Sequence, residues 1–79
     1  MSELQTEITG YLKSILKTKA SKLDLDTGLI ASGIMDSLDI IALIEFLEDR
    51  YTVKFADDEM VPENFETIAN ISTLVEKKI

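Results

Sequence analysis

Asp36-Ser37-Leu38-Asp39-Ile40-Ile41-Ala42-Leu43-Ile44-Glu45-Phe46-Leu47-Glu48-Asp49-Arg50-Tyr51 is the stretch whose reading decides the fold. At a turn of about 100° per residue, Ile40, Leu43, Ile44, Leu47 and Tyr51 share one arc. Asp36 stands where an N-cap belongs, and Asp39 adds negative charge to the first turn, where the helix dipole favours it. A helix over Ser37–Tyr51 is predicted, with that arc facing a core. Phe46 lies off the arc and is expected to pack against the preceding loop. Leu38 and Ile41 fall on the side that carries Ala42, Glu45, Glu48 and Asp49. Periodicity leaves two arrangements open there: an apolar docking surface rimmed by acids, or a crowded bundle that buries both side chains.

Upstream, residues 18–36 lose the helical period and are punctuated by Ser21, Asp24, Asp26, Thr27, Gly28, Ser32 and Gly33. A loop this long is unusual in a compact domain. Leu23, Leu25, Leu29, Ile30, Ile34 and Met35 supply anchors, so it is expected to be packed down, with one helical turn near Leu29. Before it, Leu4, Ile8, Leu12, Ile15 and Leu16 mark an amphipathic helix of about four turns. Ser2 and Gln5 can form its capping box. Gly10 is either a close helix contact or a tolerated surface glycine.

Downstream, Val53-Lys54-Phe55 reads as extended and Asp57-Asp58-Glu59 as a solvated acidic turn. Pro62 opens a short helix over residues 62–66. Thr67 caps a final helix whose stripe is Ile68, Ile71, Leu74, Val75 and Ile79, with Lys77 and Lys78 at its C-terminal end. The expectation is an all-α fold of four helices, the third short, forming a single domain over residues 1–79.

The chain has 79 residues, 46% hydrophobic, so its core must be thin. Cys and His are absent and so is Trp. That excludes disulfides, thiolate catalysis, His-Cys metal sites and His proton shuttles. The net charge of −7 is unevenly spread: residues 23–66 carry −10, residues 1–22 carry +2 and residues 67–79 carry +1. Such an anion does not suit a nucleic-acid backbone, which rewards clustered Lys and Arg. Basic protein partners are expected instead. No apolar run approaches the roughly 20 residues of a membrane span, and no signal pattern opens the chain, so no membrane span and a cytoplasmic location are expected.

Ser37 begins the central helix between Asp36 and Asp39. It reads either as a plain cap or as a hydroxyl whose phosphate ester would lie at the positive helix end, beside free N–H groups. The two acids would oppose a second anion, so they suit recruitment of a cation-rich partner or a divalent ion. An acid-base enzyme built on Asp36 and Asp39 would lack a deep pocket, and a non-enzymatic role is expected. Asp24-Leu25-Asp26-Thr27-Gly28 opens like a calcium loop, but its twelfth position is Met35 rather than Glu, so no metal site is expected. Asn70-Ile71-Ser72 fits a glycosylation pattern but falls on a predicted helix and is discounted.

Asp36-Ser37-Leu38-Asp39, the apolar-acidic run over residues 40–49, the Gly33-Ile34-Met35 approach and the closing helices through Ile68-Ala69-Asn70-Ile71 together resemble the acyl and peptidyl carrier proteins. The similarity spans essentially the whole chain in length, order and acidity. It implies a four-helix bundle in which Ser37 accepts a 4′-phosphopantetheine arm from coenzyme A. The arm's thiol would hold acyl or aminoacyl groups as thioesters, and a chain without Cys fits a sulfur supplied by the cofactor. The implied partners are a phosphopantetheinyl transferase, an acyl- or aminoacyl-loading ligase and downstream synthase or transferase enzymes, all acting on a monomer. The implied docking face is Asp36, Leu38, Asp39, Ile41, Ala42, Glu45, Glu48 and Asp49. Fatty acid or lipid biosynthesis is the broad expectation for the pathway. Carriers of fatty-acid synthesis, however, usually have Glu at the place of Ala42 and Met at that of Glu45. Residues 58–65 are more similar to stand-alone carriers of specialised pathways, including D-alanine carriers and discrete carriers of polyketide or peptide assembly. The alternative is a small acidic helical adaptor in which Ser37 is only a cap.

Overall fold

The computed structural model describes residues 2–17 and 23–79. The first part of the expected loop, residues 18–22 with Ser21 and Lys22, lies outside them. Helix α1 spans Glu3–Leu16. Its capping box forms as expected: Gln5 N–H donates to Ser2 Oγ at 3.1 Å and Ser2 N–H to Gln5 Oε1 at 2.9 Å. Leu4, Ile8, Leu12 and Leu16 are buried along one stripe. Gly10 is exposed and a side chain there would meet open space, so it is the surface glycine of the two readings.

Helix α2 spans Ser37–Tyr51, the predicted bounds. Leu43, Ile44 and Leu47 are buried, with Ile40 and Tyr51 half-buried at the edges of the arc. Leu38 and Ile41 are 74% and 54% exposed, so the bundle does not cover them. Phe46 has a partner that the sequence did not name: it stacks on Tyr11 of α1, ring centroids 4.0 Å apart and planes 9° from parallel. Tyr11 also donates its hydroxyl to the Ala42 carbonyl at 3.2 Å. A flat ring one helix away gives Phe46 a partner of matching shape, and α2's own period carries no information about that neighbour.

The chain turns out of α2 at Thr52, which adopts the left-handed conformation at φ 55°. After the extended segment, Asp57–Glu59 forms one 3-10 turn. Asp57 and Asp58 are exposed as expected, but Glu59 is not simply solvated. Its carboxylate lies 2.6 Å from Lys78 Nζ and accepts Ala56 N–H at 2.8 Å. Lys78 also sits over the Phe55 ring, 5.4 Å from its centroid, and Phe55 meets Phe65 edge-on at 6.0 Å. Lys78 therefore acts across the molecule.

Helix α3 is Pro62–Phe65, opened by Pro62 as expected. Helix α4 is Ile68–Glu76, capped by Thr67 Oγ1, which accepts Asn70 N–H at 3.0 Å. The helix stops before Lys77, and Ile79, 66% exposed, leaves the predicted stripe. Helix α4 packs on α1 and α3, and α1 on α2. Ile8, Leu12, Leu29, Leu43, Leu47, Phe65, Ile68, Ile71 and Val75 form the fully buried centre. Burying each such large side chain contributes roughly 1.5–3 kcal/mol relative to leaving it in water.

Ser72 of α4 is buried with its polar atom satisfied. It accepts Gln5 Nε2–H at 3.3 Å and donates to the Ala69 carbonyl at 2.9 Å. Gln5 thus closes the α1 cap with its oxygen and reaches α4 with its nitrogen. Among the described residues no buried side-chain polar atom is left without a partner, as a well-formed core requires. No described helix is long and apolar enough to cross a membrane.

Candidate functional site

The approach to Ser37 is a packed loop. Leu29 and Met35 are buried, and a single turn forms where one was expected: Ser32 N–H donates to the Gly28 carbonyl at 3.4 Å and Gly33 N–H to that of Ile30 at 3.0 Å. Gly33 has φ +80°, a conformation that glycine adopts without steric cost. Met35 N–H then donates to the Leu29 carbonyl at 2.9 Å, which delivers the chain to α2.

Capping of α2 falls entirely to the two aspartates. Asp39 N–H donates to Asp36 Oδ1 at 3.0 Å and Asp36 N–H to Asp39 Oδ2 at 3.2 Å. Sequence had placed Asp36 as the cap and Asp39 as a dipole partner; the reciprocal bond is the added finding. Ser37 is therefore not the cap. It is the first helical residue, and it is exposed. Beside it runs an apolar cleft of about 250 Å³, walled by Ile40, Ile41 and Ile44 of α2 and by Met60, Val61 and Phe65 across from them. An exposed hydroxyl at the mouth of an apolar cleft can take a covalent substituent and leave room for a pendant chain.

The remaining candidate residues divide. Asp36, Leu38, Ile41, Glu45 and Asp49 are open to solvent. Asp39 and Ala42 are half-buried. Glu48 is half-buried too, with Oε2 accepting Phe55 N–H at 3.1 Å, so one of its oxygens holds the extended segment. Glu45, Glu48 and Asp49 also line a broad hollow of about 420 Å³ with Thr52, Val53 and Lys54. Among the described residues no cluster of acidic side chains could hold a metal ion.

At the other end of α2, about 20 Å from Ser37 by helical rise, a second polar group ties α2 to α1. Arg50 donates to Glu7 Oε1 through Nη2 at 2.6 Å and Nε at 3.1 Å, and Tyr51 donates its hydroxyl to Glu7 Oε2. The Tyr51 bond first, and then Arg50, hold the Glu7 carboxyl below its ordinary value. Burial, followed by the Glu7 carboxylate, pushes Tyr51 up to about 12.

Sequence reasoning did not single out Met60, Val61 or Phe65 as cleft walls. Their only signal is apolar character within an otherwise polar stretch. It also missed Glu66, whose carboxylate reaches back to the loop: Ile30 N–H donates to Oε2 at 3.1 Å and Ala31 N–H to Oε1 at 3.0 Å. Gly28 was the one hint, since a Cβ there would stand 2.9 Å from Glu66 Oε1.

A family described as "Phosphopantetheine attachment site" matches residues 6–75. The D-alanyl carrier protein of Lactococcus lactis subsp. cremoris (strain MG1363) is 31% identical over 75 residues, covering 95% of each chain. That of Lactococcus lactis subsp. lactis (strain IL1403) is 29% identical over the same share. Among solved structures, a chain from one described as "Crystal structure of FAD-dependent dehydrogenase" superposes with a TM-score of 0.77 and 32% identity, covering 86% of this chain and 97% of that one. The residues present suit such a cofactor, because the Ser37 hydroxyl is exposed and has the apolar cleft beside it. The chain belongs to the phosphopantetheine-bearing carrier proteins, non-catalytic carriers that hold acyl or aminoacyl groups as thioesters on a covalent 4′-phosphopantetheine and pass them between transferase and ligase enzymes.

Proposed function

We propose that Ser37 is the attachment point and that the cargo is a small amino acid rather than a fatty acyl chain. The observation that carries the first part is the division of labour at the start of α2. Asp36 and Asp39 satisfy the helix end, which leaves the Ser37 hydroxyl exposed with no capping duty. This removes the main support for the adaptor reading. In the transfer, a partner enzyme removes the Ser37 proton, the hydroxyl oxygen forms a new bond to the phosphorus proximal to pantetheine in coenzyme A, the phosphoanhydride bond from that phosphorus to the nucleotide side breaks, and adenosine 3′,5′-bisphosphate leaves. The chain's own contribution is to hold the serine at a fixed helix end and to present the surface that the enzyme grips.

That surface is Leu38 and Ile41 as exposed apolar anchors, with Asp36, Asp39, Ala42, Glu45, Glu48 and Asp49 around them. Exposed apolar side chains rimmed by acids suit a partner patch that is apolar at its centre and basic at its edge. The aminoacyl reading is supported by the D-alanyl carriers among the relatives and by Ala42 and Glu45, which depart from fatty-acid carriers on this same face. The similar chain from the FAD-dependent dehydrogenase structure adds a flavin enzyme acting on tethered cargo to the candidate partners, beside a loading ligase. A single-domain monomer in the cytoplasm completes the proposal.

Isolation of the carrier from its own cells, followed by mass measurement of the thioester-bound group, tests the cargo. An aminoacyl mass is expected. A long-chain acyl mass would overturn the assignment.

A further inference from the structure

Three consecutive backbone amides of the loop, those of Leu29, Ile30 and Ala31, are all captured by one residue on the far side of the chain. Leu29 N–H donates to the Glu66 carbonyl at 2.7 Å. Ile30 N–H donates to Glu66 Oε2 at 3.1 Å, and Ala31 N–H reaches Oε1 at 3.0 Å and Oε2 at 3.2 Å. A carboxylate accepting backbone N–H groups makes charge-assisted bonds, stronger than the neutral bonds of an ordinary turn. Gly28 completes the seat, because a Cβ there would stand 2.9 Å from Glu66 Oε1.

The latch has Ser37 on one side and the cleft wall on the other. On the loop side, Leu29 offers its carbonyl to Met35 N–H at 2.9 Å, and Met35, buried, is the residue before the Asp36 cap. On the other side, Glu66 directly follows Phe65, whose buried ring lines the cleft beside Ser37. One side chain thus ties the loop that delivers the serine to the segment that walls its cleft.

We propose that Glu66 is a positioning residue for Ser37: by latching the turn at residues 28–31 to the end of α3, it fixes the serine and its cleft in the geometry that the arm-transferring enzyme uses. The proposal rests on Ser37 being the attachment point. A loose loop would leave the serine averaged over orientations, and misplacement of a reacting atom lowers turnover more than it lowers encounter.

The test is arm transfer to the intact chain by a broad-specificity phosphopantetheinyl transferase with coenzyme A, run well below the melting temperature. Glu66→Ala and Glu66→Gln are compared with wild type, and amide hydrogen exchange is followed at Ile30, Ala31 and Met35. Glu66→Ala is expected to lower kcat by about tenfold with KM nearly unchanged, and to speed exchange at all three amides. Glu66→Gln keeps an acceptor oxygen and should recover part of both effects. Gly28→Ala, which leaves the carboxylate in place but crowds it, should lower kcat as well and lose most of its effect when Glu66 is already Ala. Unchanged kcat in a folded Glu66→Ala chain, with wild type modified, would overturn the positioning role alone. A wild type that accepts no arm would overturn the attachment reading and this role with it.

Discussion

Glu7 is the side chain on which the α1–α2 connection converges, since it takes the Tyr51 hydroxyl and the Arg50 guanidinium at once. Those donors hold its folded-state carboxyl below the ordinary 4.5. A carboxyl depressed on folding stabilises the native state above the unfolded value, and that contribution is lost as pH falls through the folded one. Thermal melts of wild type and Glu7→Gln across the acid range should therefore show wild type the more stable at neutral pH, with the gap closing below 4.5. Glu59, also lowered, chiefly by its bond from Lys78, remains in both proteins and supplies the residual acid sensitivity. A gap that stayed constant with pH would mean that the carboxylate form of Glu7 contributes nothing. Sequence named none of these pairs. Glu7 and Arg50 are 43 positions apart, and Glu59 and Lys78 are 19 apart, so only the packed helices bring them together.

At the scale of the element, α2 holds the site through its first turn. Removing either cap, in Asp36→Ala or Asp39→Ala, should cost about 1 kcal/mol in urea unfolding. The double variant should lose less than the sum, by roughly 0.5 kcal/mol or more, because once one bond is gone the turn frays and the other has less to hold. Strict additivity would argue against a reciprocal box. This helix was the most legible element: its bounds, its Asp36 cap and its buried Leu43, Ile44 and Leu47 follow from a local period and a local cap. The period left Leu38 and Ile41 undecided between an open and a buried face, and only the packed bundle shows them open. The Phe46 stack and the Glu66 latch were not legible, because each depends on which distant segment arrives alongside. The final helix was predicted too long. Apolar spacing alone extends to Ile79, whereas Lys78 is drawn away toward Glu59 and Phe55.

Across the whole molecule the dominant fact is charge. The −10 carried by residues 23–66 is confined to a body 29 × 24 × 19 Å. At about 0.15 M salt the screening length is about 8 Å, shorter than any of these dimensions, so mutual repulsion is felt mainly in dilute buffer. Salt also weakens the Glu7–Arg50 and Glu59–Lys78 pairs, but two surface pairs contribute little against so large an excess of one sign. The melting temperature should rise as ionic strength goes from about 0.01 to 0.15 M and then level off; a flat or falling curve would mean that the local pairs outweigh the field. The same field should draw a basic partner toward the face beside Ser37. The most direct test of the account is the intact mass of the chain after incubation with coenzyme A and a broad-specificity phosphopantetheinyl transferase. Wild type should gain the mass of one arm and Ser37→Ala none, whereas an unmodified wild type or a modified Ser37→Ala would contradict the claim.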